Sequence, residues 1–304
     1  MYKDFENAYD NCRLCARACG VNRSAGQIGY CKMTDALVVS RAAPHMWEEP
    51  IISGEGGSGT VFFSGCSLGC IYCQNSAISR GSSGIVIDNE RLVEIFLELS
   101  NKGVHNINLV TPTHYVPHVI SAVKEARERG LTLPIVYNTA SYETERTVEM
   151  LKGTVDVFLA DLKYYRNKTA GEYSFAPDYP EVARLAIAKM VAITGAPVIR
   201  DGIMLRGTVV RILLLPGHVA EAKLIVKYLY EAYGDKIYIS LMNQYTPRGD
   251  LPSPLNRRVT SSEYSELVDY AIRLGVTNCF IQDDGTAEES FIPPFDNTGV
   301  LPEK

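Results

Sequence analysis

The sequence predicts an α/β chain in which a series of strand-then-helix units surrounds a parallel sheet, curled into a barrel or partial barrel. Two observations carry this reading. From about residue 59 short β-branched or aromatic runs alternate with amphipathic segments, as expected of successive β-α units. Roughly six or seven such units suit a (β/α) barrel better than a short open sheet. A chain of 304 residues, 46% hydrophobic and 21% charged, is long enough to bury the core such a barrel needs.

The first strand is read at 60–64 (TVFFS), where four of five residues are β-branched or aromatic. Further strands follow at 105–111, 133–138, 155–160, 208–215, 237–242 and 277–281, each a short apolar run bounded by polar or glycine-containing segments. The first helix shows its period plainly, with Leu92, Ile95, Phe96 and Leu99 on one face behind a cap at Asp88. Other helices are expected near 116–129, 142–152, 180–194, 219–233 and 261–274. Asp201-Gly202 between two apolar triplets predicts a hairpin with a type I′ turn. The chain thus divides into a cysteine-rich N-terminal extension (1–58), the barrel (59–282) and a C-terminal tail (283–304).

The net charge of −5, with basic residues scattered, argues against nucleic acid as a partner. The longest apolar stretches are strand-sized, so no membrane partner is expected. The N-terminal residues MYKDFENAYDNC have neither the basic nor the apolar region of a secretory signal. A reducing cytoplasm is therefore expected, where the eight cysteines serve metals or the core rather than disulfides.

Chemistry enters at GCSLGCIYCQN, which sets Cys66-x-x-x-Cys70-x-x-Cys73 directly after the first strand. Three thiolates on one tight loop can hold three irons of a cubane and leave the fourth iron open to a small molecule. A zinc knuckle or buried free thiols are the bland alternatives. A closed zinc site wants a fourth ligand, and the next cysteine downstream is Cys279.

In barrels of this type functional residues gather at the carboxyl ends of the strands. The second strand ends at Thr111-Pro112-Thr113-His114-Tyr115, where His114 can move a proton near neutrality or merely order the turn. The third ends at Asn138-Thr139 and the fourth at Asp161-Leu162-Lys163. A carboxylate and an ammonium two residues apart suit the hydroxyls and carboxylate of a zwitterionic ligand, with a surface ion pair as the alternative. Arg211, in the apolar run VVRILLLPGH, must face a cavity or a partner, because burying it alone is expensive. The sixth strand ends in Met242-Asn243-Gln244-Tyr245, whose Gln244 amide suits hydrogen bonds to a base or substrate as well as loop packing.

Upstream of the barrel, Cys12-x-x-Cys15-x-x-x-Cys19 and Cys31 can close a second metal site. Structural zinc and a second iron–sulfur cluster fit this spacing equally, and free thiols are the remaining reading. Cys279 reads as a core residue.

The cysteine loop, with Tyr72 just before the third cysteine, resembles the signature of the radical S-adenosylmethionine (radical SAM) superfamily. The wider combination of CRLCARACGVNR, HMWEEP, GSGTVFFSGCSLGCIYCQN, TPTHY, DLK, LLPGH and MNQY is similar to the branch labelled pyruvate formate-lyase activating enzyme-like. The likeness spans nearly the whole chain. It implies a partial (β/α)6 barrel with a 4Fe–4S cluster on Cys66, Cys70 and Cys73 and with SAM as cofactor. It implies SAM contacts at Tyr72, Thr111, Thr113, His114, Asn138, Thr139, Asp161, Lys163, Arg211 and Gln244. The Asp161-x-Lys163 pair and the Pro216-Gly217 turn resemble features of the activating enzymes. The TPTHY turn departs from the GGEP-type turn that many members carry, which leaves the SAM amino group to other atoms. The implied reaction is reductive cleavage of SAM to a 5′-deoxyadenosyl radical that abstracts a hydrogen, for example from the glycine of a glycyl-radical enzyme. Modification of another protein, peptide or metabolite is the alternative. A reduced donor such as flavodoxin or ferredoxin and an anaerobic or facultative source follow from the low-potential chemistry. A non-enzymatic iron–sulfur or zinc protein is the competing reading from a different class.

Overall fold

A computed structural model describes residues 7–81, 83–282 and 293–302. Its strands are β1 (Leu37–His45), β2 (Ser58–Phe63), β3 (Ile85–Ile87), β4 (Ile107–Val110), β5 (Ile135–Thr139), β6 (Val157–Asp161), β7 (Val198–Arg200), β8 (Ile203–Leu213), β9 (Tyr238–Met242) and β10 (Cys279–Ile281). Its helices are α1 (Pro50–Ser53), α2 (Ser76–Ser79), α3 (Asn89–Asn101), α4 (Val116–Glu128), α5 (Glu145–Met150), α6 (Asn167–Ser174), α7 (Tyr179–Thr194), α8 (Val219–Tyr233) and α9 (Ser261–Leu274).

The strands form one sheet in the order β10-β9-β8-β6-β5-β4-β2-β1-β3, with β7 on β8. From β2 to β10 along that path every neighbouring pair is parallel. The two ends of the path, β3 and β10, are not paired to each other among the described residues, so the barrel is partial. The α/β fold with its mostly parallel sheet is the one expected. All seven expected strands are present, and α8 and α9 span the residues their periodicity marked. Asp88 accepts the amide of Arg91 at 2.8 Å and starts α3. Asp201 (φ 50°) and Gly202 (φ 78°) turn β7 into β8, as a type I′ hairpin requires.

Strands β1 and β3 and helices α1, α2 and α6 lie outside the expectation, and α5 starts later than expected. Strand β1, from the N-terminal extension, pairs antiparallel with β2 on one side and with β3 on the other. Helix α6 occupies a segment for which no element was expected. The expected 142–152 helix begins only at Glu145, because the Thr144 hydroxyl accepts the Thr147 amide at 3.2 Å and caps it there. In the tail, the Val300 carbonyl accepts from Arg91 at 2.9 Å and Val300 is buried. No helix among the described residues is long and apolar enough to cross a membrane.

Two-residue alternation along the parallel strands separates an outer core from the barrel interior. Tyr137, Phe158, Ala160, Val210, Ile212, Ile239 and Leu241 pack outward under the helices. Val136, Val157, Leu159, Val209 and Met204 point inward and close around Ile52 of α1, which is fully buried. Helix α1 therefore plugs the lower end of the barrel. Burial of a side chain such as Ile52 contributes about 1.5–3 kcal/mol. The same alternation aims Asn138, Asp161, Arg211 and Ser240 into the interior above this plug, where Asp161 pairs in register with Arg211, and Arg211 with Ser240.

Candidate active site

The upper interior is a cavity of about 300 Å³ whose lining includes Cys66, Cys70 and Cys73 on one wall and Glu48, Glu49, Asn138, Asp161, Lys163 and Arg211 below. Cys66 lies three residues beyond β2. The loop that carries the cysteines turns at Gly65 (φ 89°) and Gly69 (φ 69°), conformations that favour glycine. A Cβ on Gly65 would stand 2.4 Å from Met33 Cγ and 2.7 Å from the Cys31 carbonyl, so this turn presses against the N-terminal segment. Gly69, between Cys66 and Cys70, has nothing within 4 Å of that position.

The sulfur environment is built from behind by the segment after β6. Ser174 Oγ donates to Cys70 Sγ at 2.9 Å, and the Tyr164 hydroxyl lies 2.6 Å from the same Ser174 oxygen. The Tyr164 and Tyr72 hydroxyls lie 2.8 Å apart, and Tyr72 meets Tyr164, Tyr173 and Tyr245 edge-on. Tyr173 in turn lies 3.0 Å from His218 Nε2, which ties the Pro216-Gly217-His218 turn to this buttress. Burial pushes the Cys66 thiol up to about 12, with Cys70 and Cys73 adding to it, and burial also raises Cys73. Thiols raised by burial, as Cys66 and Cys73 are, ionise readily only against a bound cation, and soft thiolates suit iron. The donor set therefore fits an iron–sulfur cluster.

The lower wall is an ion network. Arg211 donates through Nε to Asp161 at 2.8 Å, through Nη1 to Glu48 at 3.2 Å and through Nη2 to Asn138 at 2.6 Å. Lys163 Nζ holds the other Asp161 oxygen at 2.6 Å. Burial alone would raise Asp161, but Arg211 and Lys163 overcome it and hold the carboxyl below its ordinary range. Burial raises Glu48 and Glu49, only partly offset by Arg211. Glu48 also accepts from Asn108 and Asn138 at 3.0 and 3.3 Å. Glu49 is 7% exposed and keeps Oε2 without a hydrogen-bond partner. These two acids precede α1 and reach the cavity because the plug carries them there. The sequence marked HMWEEP but gave it no role, and the only signal was two adjacent acids before a proline.

Of the residues singled out in the sequence, Cys66, Cys70, Tyr72, Cys73, Thr111, Asn138, Thr139, Asp161, Lys163, Arg211 and Gln244 line the cavity. Thr111 does so in a left-handed conformation (φ 58°), a strained state for a β-branched residue. Gln244 accepts from Gln74 through its carbonyl at 2.9 Å. Thr113 and His114 do not line it. Thr113 donates to buried Glu143 at 2.6 Å, and Thr139 donates to the same oxygen. His114 is 2% exposed with Nε2 2.7 Å from the Ser64 carbonyl, which only accepts, so Nε2 bears the proton. Burial and nearby Arg23 push it down to about 3, so it stays neutral and structural near pH 7. Cys12, Cys15, Cys19 and Cys31 lie outside the cavity lining, beyond the turn at Gly65.

A model of the radical SAM superfamily matches residues 60–229. An uncharacterized protein of Methanocaldococcus jannaschii is 26% identical over 279 residues, covering 88% of this chain and 75% of the relative. A solved domain of the pyruvate-formate lyase-activating enzyme from Bacteroides vulgatus superposes with a TM-score of 0.42 at 14% identity, over 56% of this chain and 92% of that one. Streptococcus suis SuiB bound to S-adenosylmethionine gives 0.49 at 15% identity, over 72% of this chain and 48% of SuiB. Scores and identities this low carry no functional argument. The matched segment runs from within β2, across its cysteine loop and into α8, more than half of the sequence, and on that match the chain belongs to the radical SAM superfamily.

Proposed function

We propose that this chain is a radical SAM enzyme that holds a 4Fe–4S cluster on Cys66, Cys70 and Cys73 and uses SAM to abstract a hydrogen atom from a substrate. The cavity shared by these three sulfurs and the Asp161, Lys163 and Arg211 network carries the reading. Held by Cys66, Cys70 and Cys73, such a cluster would supply the low-potential electron for reductive cleavage of SAM.

The protein's own part is binding, orientation and exclusion of water. Asp161 is fixed on both oxygens by Arg211 and Lys163, so its charge is pointed rather than mobile. All three Arg211 nitrogens are engaged, by Asp161, Glu48 and Asn138, which makes Arg211 a positioning residue for those acceptors. Lys163, on the cavity wall, is the cation that meets the SAM carboxylate. Gln244 offers a polar contact for ribose or base, while Asn138 and Thr139 line the cavity with side chains held by Arg211, Glu48 and Glu143. Tyr72, held by Tyr164, keeps the Cys70–Cys73 turn rigid. Phe62, Leu68 and Val110 add apolar lining that keeps solvent from the reacting atoms. A flavodoxin or ferredoxin in a reducing, oxygen-poor cytoplasm is the matching electron donor.

Two substrate classes follow from different features. The Asp161-x-Lys163 pair and the Pro216-Gly217 turn support the backbone glycine of a glycyl-radical enzyme. The unpaired buried oxygen of Glu49 favours a small molecule or peptide that presents a cationic group to the cavity floor. Anaerobic reconstitution with iron and sulfide, reduction and addition of SAM is expected to release 5′-deoxyadenosine. Intact SAM beside a reduced cluster would overturn the proposal. A persistent organic radical on a candidate glycyl-radical partner selects the first class, and deuterium transfer into 5′-deoxyadenosine from a labelled amine substrate selects the second.

A further inference from the structure

We propose that Cys12, Cys15, Cys19 and Cys31 hold a second iron–sulfur cluster, separate from the one on the barrel loop. The N-terminal segment folds back on itself to gather them. The Cys12 amide donates to Val21 and its carbonyl accepts from Gly20, both at 3.0 Å. The Ala18 amide closes on Cys15 at 3.0 Å, and the Lys32 amide closes on Gly29 at 3.0 Å. Cys12, Cys15 and Cys31 are buried, while Cys19 is at the surface. A Cβ on Gly29 would stand 3.4 Å from Cys31 Sγ and 3.5 Å from Cys19 Sγ, so this glycine leaves room between two sulfurs. All four cysteines are free thiols rather than disulfides.

Arg23 supplies an independent pointer. It is fully buried, over the Tyr9 ring at 4.6 Å, and donates to the carbonyls of Thr34 and His114. Nη1 lies 3.8 Å from Cys12 Sγ. Among the described residues no carboxylate stands within ion-pair distance of it. A guanidinium cannot shed its proton, and burying one without a counter-charge is costly. A metal centre ligated by four thiolates is anionic and supplies the missing charge beside Cys12.

The spacing favours a cluster over a single ion. Zinc holds sulfur at about 2.3 Å, which brings its four sulfurs to about 3.8 Å from one another. Among the described residues no set of three or more His, Cys, Asp or Glu side chains converges in that way. The same is true of Cys66, Cys70 and Cys73, on the loop where the superfamily carries its cubane. The two cysteine loops also touch. Arg17, between Cys15 and Cys19, donates to the carbonyls of Ser67 at 2.9 Å and Leu68 at 3.2 Å, inside the Cys66–Cys70 turn. The second centre thereby braces the loop of the first.

The test uses the full chain carrying Cys66→Ala, Cys70→Ala and Cys73→Ala, reconstituted anaerobically with iron and sulfide. This variant is expected to keep about four iron and about four acid-labile sulfide per chain, with iron–sulfur absorption. Cys19 is exposed, so adding Cys19→Ala is expected to leave the circular dichroism unchanged and to lower the iron content at least about twofold. A folded triple variant with no iron, or with zinc and no sulfide, would overturn the proposal, as would full iron retention after Cys19→Ala. If the triple variant does not fold, the unmodified chain decides: about eight iron are expected, and about four would contradict a second cluster.

Discussion

Arg211 Nε donates to Asp161 Oδ1 across 2.8 Å, joining β8 to β6 at the floor of the cavity. The pair stands in register between neighbouring parallel strands, and both side chains are largely buried. Around it each partner is held again, Asp161 by Lys163 and Arg211 by Glu48 and Asn138. A network satisfied at every member sets positions in the cavity rather than adding much net stability.

Removing one member exposes that dependence. Arg211→Met leaves Asp161 and Glu48 without their shared cation, and the expected loss is about 3–5 kcal/mol of unfolding free energy. Urea denaturation reads it directly. A loss below about 1 kcal/mol would mean that water already screens these acids.

The two glycines of the cysteine loop separate strain from collision. Both have positive φ, so alanine at either costs on the order of 1–2 kcal/mol in backbone strain. At Gly65 the new methyl group also meets Met33 and the Cys31 carbonyl, whereas at Gly69 it meets nothing. Gly65→Ala is therefore expected to lower the melting temperature more than Gly69→Ala. Equal shifts would show that the N-terminal segment does not press on the loop.

Much of this was legible in the sequence, and the part that was not has a physical reason. The parallel strands announced themselves because each is a short, mostly apolar run between polar or glycine-containing segments, and α3 because Leu92, Ile95, Phe96 and Leu99 repeat at helical spacing. Arg211 was legible as an interior charge from its apolar flanks. Strand β1 was not, because a cysteine-rich head with many turns hides a strand whose partner, β2, comes later in the chain. Glu48 and Glu49 were not, since their place depends on α1 entering the barrel from below. The polar His114 stood at a strand end, where such residues normally face the ligand. The Arg23 guanidinium and the Ser64 carbonyl instead draw it into the core.

His114 sets a pH dependence of stability. Its folded pKa of about 3 lies below the ordinary value of 6.5, so between these limits the unfolded chain binds a proton that the folded chain does not. Its contribution is fully present above pH 6.5 and is lost as pH falls toward 3, at about 1.4 kcal/mol per unit. His114→Gln keeps an N–H for Ser64 but cannot titrate. Thermal melts from pH 7 to pH 4 are expected to fall less steeply for this variant, and parallel curves would contradict the assignment.

Ser174 bears on redox chemistry. Its hydroxyl donates to Cys70 Sγ at 2.9 Å, and a hydrogen bond to a cluster sulfur favours the more negative, reduced state. Ser174→Ala is expected to shift the cluster's reduction potential downward in a titration followed by electron paramagnetic resonance, with iron content unchanged. An unchanged or raised potential would show that this contact does not reach the bound cluster.

The most direct measurement is the electron paramagnetic resonance spectrum of the reduced, reconstituted chain during titration with SAM. If Cys66, Cys70 and Cys73 leave one iron open, the signal changes shape and saturates with SAM, and it does so only while all three cysteines are present. A cluster signal that ignores SAM at saturating concentration would mean that a protein side chain already fills that position, and the proposed reaction would have no place to begin.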